Sequence, residues 1–289
     1  MAREQGADLA GTASRAERWL LIEHHGAWGP RAVEENDLPP PAREWLSAQS
    51  ALPRSRVLLI RPAGRPASRA ALCLYAALTR EGVRRLGRRT FGTYEELAET
   101  DVAALLADGD AARRPLLLVC TNGRRDRCCA RIGGPTSSAL AAAASEAAEV
   151  WASTHLGGHR YAATGLWLPA GVSYGFLTPQ EAPAVAAAAV RGTIHLPCYR
   201  GRVFHPPPVQ AADCFLRRRT GITGIDALRL VDAASEGEEW EVRFTDAAAG
   251  AIHRLRVRVG REEAALVSCS PAKRKDVDRF TLLDHQRVE

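Results

Sequence analysis

An α/β fold is the class this sequence predicts, and three observations predict it. Residues 114–191 read in the order strand, helix, hairpin, helix. Ahead of them, two apolar strand-like runs lead into a helix-like acidic segment. After them, three short stretches between 239 and 268 alternate apolar and polar residues, as a small antiparallel sheet does.

Each element has a local reason. RAERWLLIE, Arg15–Glu23, fits a helix or a strand, and a short helix is expected after the prolines near Ala42. Arg56–Arg61 and Arg69–Leu78 read as strands separated by the turn-like PAGRPAS. A helix is expected to start near Thr93–Tyr94 and run towards 108, with acids in its first turns. Arg114–Cys120 is a buried strand, and the alanine-rich Pro135–Trp151 has strong helix propensity. Tyr161–Leu168 and Gly171–Leu177 form a hairpin through Pro169–Gly171, and Pro183–Arg191 is helical. This central order is that of a thioredoxin-like core lacking its first strand and helix. A proline-rich connector with room for a short strand follows, then a helix at Gln210–Arg219. Strands are expected at Glu239–Phe244, Ala251–Val259 and Glu263–Ser268, with Val242, Ile252, Leu255, Val257 and Val259 as their core. The expected units are 10–108 (N-terminal α/β), 109–195 (central) and 196–289 (small α+β).

Composition narrows the function. The chain of 289 residues is 46% hydrophobic and carries a net charge of +6, ordinary for a globular protein with a mild basic excess. No aromatic-plus-basic strand pattern or zinc-finger spacing suggests nucleic acid, and no apolar run has the length of a membrane span. The first residues lack a signal peptide's apolar core, so the cytosol is the expected compartment. There, seven cysteines suit metal ligation better than disulfides. Cys73 and Cys214 read as buried packing residues, and Cys269 gives no clear signal. No GxGxxG follows a strand, so no dinucleotide site is expected.

The chemistry concentrates in a Cys-x8-Cys loop, Cys120 to Cys129, followed by a His-x3-His pair, His155 and His159. Two thiolates and two imidazoles complete a ligand set for zinc or a [2Fe–2S] cluster. The adjacent Cys128 and Cys129 cannot easily point the same way, and spacing alone leaves the choice between them open. Arg124, Arg125, Arg127 and Arg131 surround the loop, where cations favour thiolate and suit an acidic partner. Gly157 and Gly158 suggest a turn that folds back so both rings meet one ion. Thr154 and Arg160 flank the pair, and Trp151, Tyr161 and Trp167 are expected to wall the site from water. His195, Cys198 and His205 resemble a second metal-ligand group, but the proline-rich connector between them would have to fold tightly, so a structural or partner-contact role is preferred.

These motifs resemble the sucrase/ferredoxin-like family. LLLVCTNGRRDRCCARIGGP and WASTHLGGHRYAATGLWLPAGVSYGFL carry the resemblance, and LAGTASRAERWLLIE and RGRVFHPPPVQAAD extend it. It implies a thioredoxin-like [2Fe–2S] ferredoxin domain ligated by Cys120, Cys129, His155 and His159, with Cys128 left out and both histidines on the more exposed iron. It further implies one-electron transfer with a protein redox partner, a reductase or an acceptor, rather than stand-alone catalysis. Asn122, where many relatives have His, and the extra thiol of Cys128 depart from the commonest pattern. The family name also implies sugar hydrolysis, which needs two carboxyls facing across a cleft. Glu146 and Glu149, expected on the alanine-rich helix, are more simply solvent-facing. The rival expectations are a zinc-binding structural or interaction module and an iron–sulfur redox sensor.

Overall fold

The structure, a computed structural model, describes residues 6–63, 71–107, 114–144, 146–268 and 273–288. Cys269 and the boundary expected at 108 lie outside the described residues. In chain order the elements are β1 (Arg18–Glu23), α1 (Pro40–Ala51), β2 (Ser55–Pro62), β3 (Leu72–Arg80), β4 (Val83–Phe91) and α2 (Val102–Ala107). The centre has β5 (Leu116–Cys120), α3 (Arg127–Ala144), β6 (Glu149–Ser153), β7 (Gly165–Leu168), β8 (Val172–Tyr174), α4 (Ala182–Val190) and β9 (Tyr199–Arg202). Then come α5 (Pro207–Thr220), β10 (Leu228–Glu236), β11 (Glu239–Asp246), β12 (Ile252–Leu266) and β13 (Arg274–Val288). The fold is mixed α/β, as expected.

Nine strands share one sheet in the order β4-β3-β1-β2-β6-β5-β7-β8-β9. Only the β1–β2 and β5–β6 pairs in it are parallel. Its seam is the antiparallel β2–β6 pair, with Ile60 opposite Ser153 and Pro62 opposite Trp151. The sheet therefore runs without a break from the N-terminal strands through the centre to β9, beyond residue 195.

Because side chains alternate across a strand, the sheet serves separate cores. Trp19, Leu21, Leu58, Ile60, Leu116, Leu118, Cys120 and Trp151 point to one face. The other face is covered in two parts. Leu20, Ile22, Val57 and Leu59 pack with Leu46 of α1, while Leu117 and Val119 pack with Leu140 of α3 and Val185 of α4. Residues buried on both faces explain why Arg18–Glu23 is a strand rather than a helix.

Several elements depart from expectation for physical reasons. The helix expected from Thr93 to 108 breaks into a 3-10 turn, Tyr94–Glu99, and α2. Asp101 starts the second piece by accepting the amide N–H of Ala103 and Ala104 at 2.8 and 3.1 Å. The charge-rich VRRLGRRTF forms the unexpected edge strand β4, where exposed arginines are tolerated. The helix expected at Pro135–Trp151 begins earlier, at Arg127, with Pro135 inside it. Its last residues instead form β6, inserted between β2 and β5, so sheet pairing overrides alanine's helix propensity. Glu149 accordingly sits on a strand, where it accepts a hydrogen bond from Tyr75 Oη at 2.6 Å.

A second sheet, β10-β11-β12-β13, closes the chain. The two strands expected at Ala251–Val259 and Glu263–Ser268 are one long β12 whose register with β13 shifts between Glu262 and Ala265. Sequence does not single out β10 and β13; both are mostly exposed, and β13 is largely polar while the apolar residues of β10 do not alternate. Val242, Leu255 and Val257 are fully buried, whereas Ile252 and Val259 are half-buried. α5 joins the layers: Leu216 packs in one core with Val242 and Phe244. On the same helix, the amide of Gln210 bonds both the N–H and the C=O of Ala13, at 3.1 and 3.2 Å.

Candidate metal centre

β5 ends at Cys120, which is fully buried. The following turn is anchored by Asn122, whose Nδ2 donates to the carbonyl of Gly29 at 3.1 Å. Asp126 then caps α3, its Oδ1 accepting the Cys128 N–H at 2.9 Å. Cys128 and Cys129 thus lie in the first turn of a helix rather than in a loop, which separates their directions. Cys129 packs in the core that holds Cys120, while Cys128 lines a cavity of about 110 Å³ with His159 and Arg160. Helix and strand meet closely because of Gly133: a Cβ there would lie 2.1 Å from the Cys120 carbonyl oxygen.

The histidines follow β6. Gly157 and Gly158 both adopt positive φ, 95° and 71°, and fold the chain back as expected. Cys120 Sγ lies 4.0 Å from His155 Nδ1, and His155 Nε2 lies 3.5 Å from His159 Nδ1. Ligand atoms of Cys120, Cys129 and His155 are all within 4.8 Å of one another, and His159 falls outside that trio. The four expected ligands therefore converge as an elongated set, with His159 at its outer end.

Half-buried Arg56 and buried Arg200 fix this turn. Arg56, at the start of β2, donates from Nη2 to the carbonyl of His155 at 2.8 Å and from Nη1 to that of Leu156 at 3.1 Å. Arg200, on β9, donates from Nη1 to the carbonyl of Gly157 at 3.3 Å, and also bonds Thr12. Three consecutive carbonyls of the histidine turn are thereby held by guanidinium groups from β2 and β9, which precede and follow it in the chain. Neither arginine was singled out from sequence. The available signal was an arginine inside each otherwise buried strand run, SRVLLI and YRGR.

The electrostatics suit metal-binding thiols. The hydrogen bond from the Cys129 thiol holds Cys120 well below the usual thiol range, helped by His155 and opposed by burial. Cys129 is pushed up by that same hydrogen bond, then by burial and the charge on Cys120. Metal binding requires thiolates, so a bound cation would displace protons from the pair. Burial, and then the neighbouring His155, lower the pKa of His159. Asp126 Oδ2, 3.9 Å from His159 Nε2, opposes this. Burial pushes Arg200 down to about 10.

The remaining expected residues scatter. Arg124, Arg125, Arg127 and Arg131 are exposed around the site. Arg160 is buried and pairs with Glu262 of β12 at 3.2 Å, and Thr154 Oγ1 accepts the Leu59 N–H at 3.1 Å. Trp151 joins the core of Cys120, but Trp167 faces the opposite core and does not wall the site. Tyr161 is stacked near Arg160 and Arg200. The second sheet reaches the site: Ser268 Oγ donates to Asp126 Oδ2 at 2.5 Å. Elsewhere His195 and Cys198 meet Glu181, while His205 pairs with Glu81 at 3.2 Å, apart from them. Cys73 and Cys214 are buried as expected.

Among known proteins, the model of one family, sucrase/ferredoxin-like, matches residues 9–201, most of the chain. The match spans all nine strands of the large sheet except the last residue of β9. No curated protein and no solved structure matches the chain.

Proposed function

The chain belongs to the sucrase/ferredoxin-like family, and on that premise we propose that it is a cytosolic electron-transfer protein whose central region is a thioredoxin-like ferredoxin domain. Cys120, Cys129, His155 and His159 would hold a [2Fe–2S] cluster, which when bound supplies one-electron redox chemistry. The observation that carries this reading is one elongated cluster of two thiol and two imidazole donors, with Cys120, Cys129 and His155 within 4.8 Å of one another and His159 3.5 Å from His155. An elongated donor set suits a two-iron group. A tetrahedral zinc ion, with bonds of about 2.0–2.3 Å, draws its ligands into a tighter shell.

The chain's own residues do the rest. Arg56 and Arg200 orient the histidine turn. Trp151 and its buried neighbours exclude water from the cysteine side, while half-exposed His155 and His159 face outwards. With two neutral imidazoles replacing thiolates, the bound group is less negative and accepts an electron more readily. Asp126, beside His159, provides a partner for a proton on that ring. The exposed Arg124, Arg125 and Arg127 offer a docking face for an acidic protein partner.

A second reading rests on a specific observation. Cys120, Cys129 and His155 already stand within one ion's reach of each other, so a single zinc ion in a structural or interaction module is the alternative. Anaerobically purified protein separates the two. Iron and acid-labile sulfide with visible absorption support the cluster, and colourless protein with stoichiometric zinc removes it. H155A and H159A should each alter the visible spectrum. A parental spectrum in both variants means the histidines are not ligands, and an unchanged spectrum in C129A transfers ligation to Cys128.

A further inference from the structure

Away from that centre, the chain brings together three donors of different chemistry. His195 and Cys198 flank a 3-10 turn, Leu196–Cys198, whose proline is pre-set for the turn. The Cys198 N–H bonds back to the His195 carbonyl at 3.3 Å, and such a turn places positions three apart on the same side. Glu181, the N-cap of α4, enters from a separate element. Its Oε2 lies 2.6 Å from His195 Nε2, and ligand atoms of all three residues fall within 4.8 Å of one another.

We propose that Glu181, His195 and Cys198 form a second, mononuclear metal site that takes zinc. A His-x2-Cys pair on a tight turn is the geometry of a zinc knuckle, and sulfur, nitrogen and oxygen together form a donor set typical of that borderline ion. Charge balances: one thiolate and one carboxylate neutralise a dication, leaving the imidazole neutral. The frame is fixed, since the Cys198 carbonyl accepts the Gly175 N–H at 2.9 Å and the Ile194 N–H donates to Thr223 at 2.8 Å. Cys198 is buried, while the side chains of His195 and Glu181 are 18% and 26% exposed. The fourth position thus opens to solvent, as in zinc sites that keep a water. An ordinary His–Glu hydrogen bond accounts for the 2.6 Å contact and core packing for part of the burial of Cys198; what points to a metal is the meeting of three donor types within 4.8 Å.

The test uses the whole chain with its iron content retained. Protein dialysed against chelator is given an excess of zinc, unbound metal is removed, and bound zinc and iron are counted by mass spectrometry. Zinc K-edge absorption then reads the ligands. The expected result is one zinc per chain, with one sulfur at about 2.3 Å and nitrogen or oxygen at about 2.0–2.1 Å. H195A and C198S should each lose that zinc, at least about tenfold in affinity, with iron content and visible spectrum unchanged. E181Q, at a more exposed position, repeats the test without disturbing the core. If the Cys120 centre itself takes zinc, the total rises to two and C198S still removes only one. No zinc uptake by the parent, zinc retained by H195A and C198S, or two sulfurs around a single bound zinc each overturn the proposal.

Discussion

Replacing Arg56 by methionine keeps the length and apolar stem of the side chain but deletes the fork that holds the ligand turn. Two hydrogen bonds are lost, to the carbonyls of His155 at 2.8 Å and Leu156 at 3.1 Å. Hydrogen bonds from charged donors contribute about 1.5–3 kcal/mol each. Because the two share one side chain, their loss is less than additive, and about 3 kcal/mol is the expected cost. Not all of it reaches the metal, since Arg200 still holds Gly157. Removing a residue that orients ligands lowers metal affinity about 10–100-fold, equivalent to about 1.4–2.8 kcal/mol. Urea unfolding and competition with a chromophoric chelator measure the two quantities separately. R56K, which retains the charge but not the fork, should fall between parent and R56M. R124M, at an exposed position, should match the parent in both. An R56M protein with the parental urea midpoint and chelator midpoint would refute the argument that this guanidinium positions the turn.

Adjacent glycines in α3 should respond to very different degrees. G133A drives a Cβ to 2.1 Å from the Cys120 carbonyl oxygen, so it should cost about 1–3 kcal/mol or more and reduce metal loading. G134A meets nothing within 4 Å beyond its chain neighbours, but the ring of Pro135 crowds a Cβ on the preceding helical residue, so the usual gain of about 0.5–1 kcal/mol should be largely cancelled in thermal melts. Glu17 gives a pH prediction. Burial alone would raise its pKa, but hydrogen bonds from Arg54 and Arg80 outweigh it and the value is lowered. Its contribution is therefore complete above the ordinary carboxylate value of 4.5 and is lost as pH falls through the lowered one. E17Q should lose about 1 kcal/mol at neutral pH, since both arginines are half exposed, and its stability should fall less steeply in acid. Equal acid slopes for parent and variant would contradict this. D126A removes the cap of α3 and should lower stability by about 1 kcal/mol in urea unfolding.

The candidate donors were legible in sequence because their chemistry is local. A strand end, a helix start and a glycine turn place Cys120, Cys129, His155 and His159 within forty residues, and donor type alone marks them. Spacing leaves Cys128 and Cys129 equivalent. The helix beginning at Arg127 separates them, sending the thiol of Cys129 to the core of Cys120 and that of Cys128 to a cavity. The alanine run up to Trp151 misled for a related reason. Propensity favours helix there, yet β5 and β2 both need a neighbour, and β6 satisfies both.

What no local pattern carries is the support of the site. Arg56 lies about a hundred residues before the turn it holds, and Arg200 about forty after it. Gly133 matters only because another element's carbonyl lies against it. Each is meaningful solely in the folded sheet, where β2 and β9 flank the central strands on either side. The same logic separates the two donor groups. His195 and Cys198 sit three apart on one turn, but their third partner, Glu181, comes from a helix start that sequence gave no reason to bring near. His205, the partner that proximity in sequence suggested, is drawn off instead to Glu81 and the ring of Phe204. Donor chemistry can thus be read along the chain, whereas the completeness of a donor set depends on which elements the sheet makes neighbours.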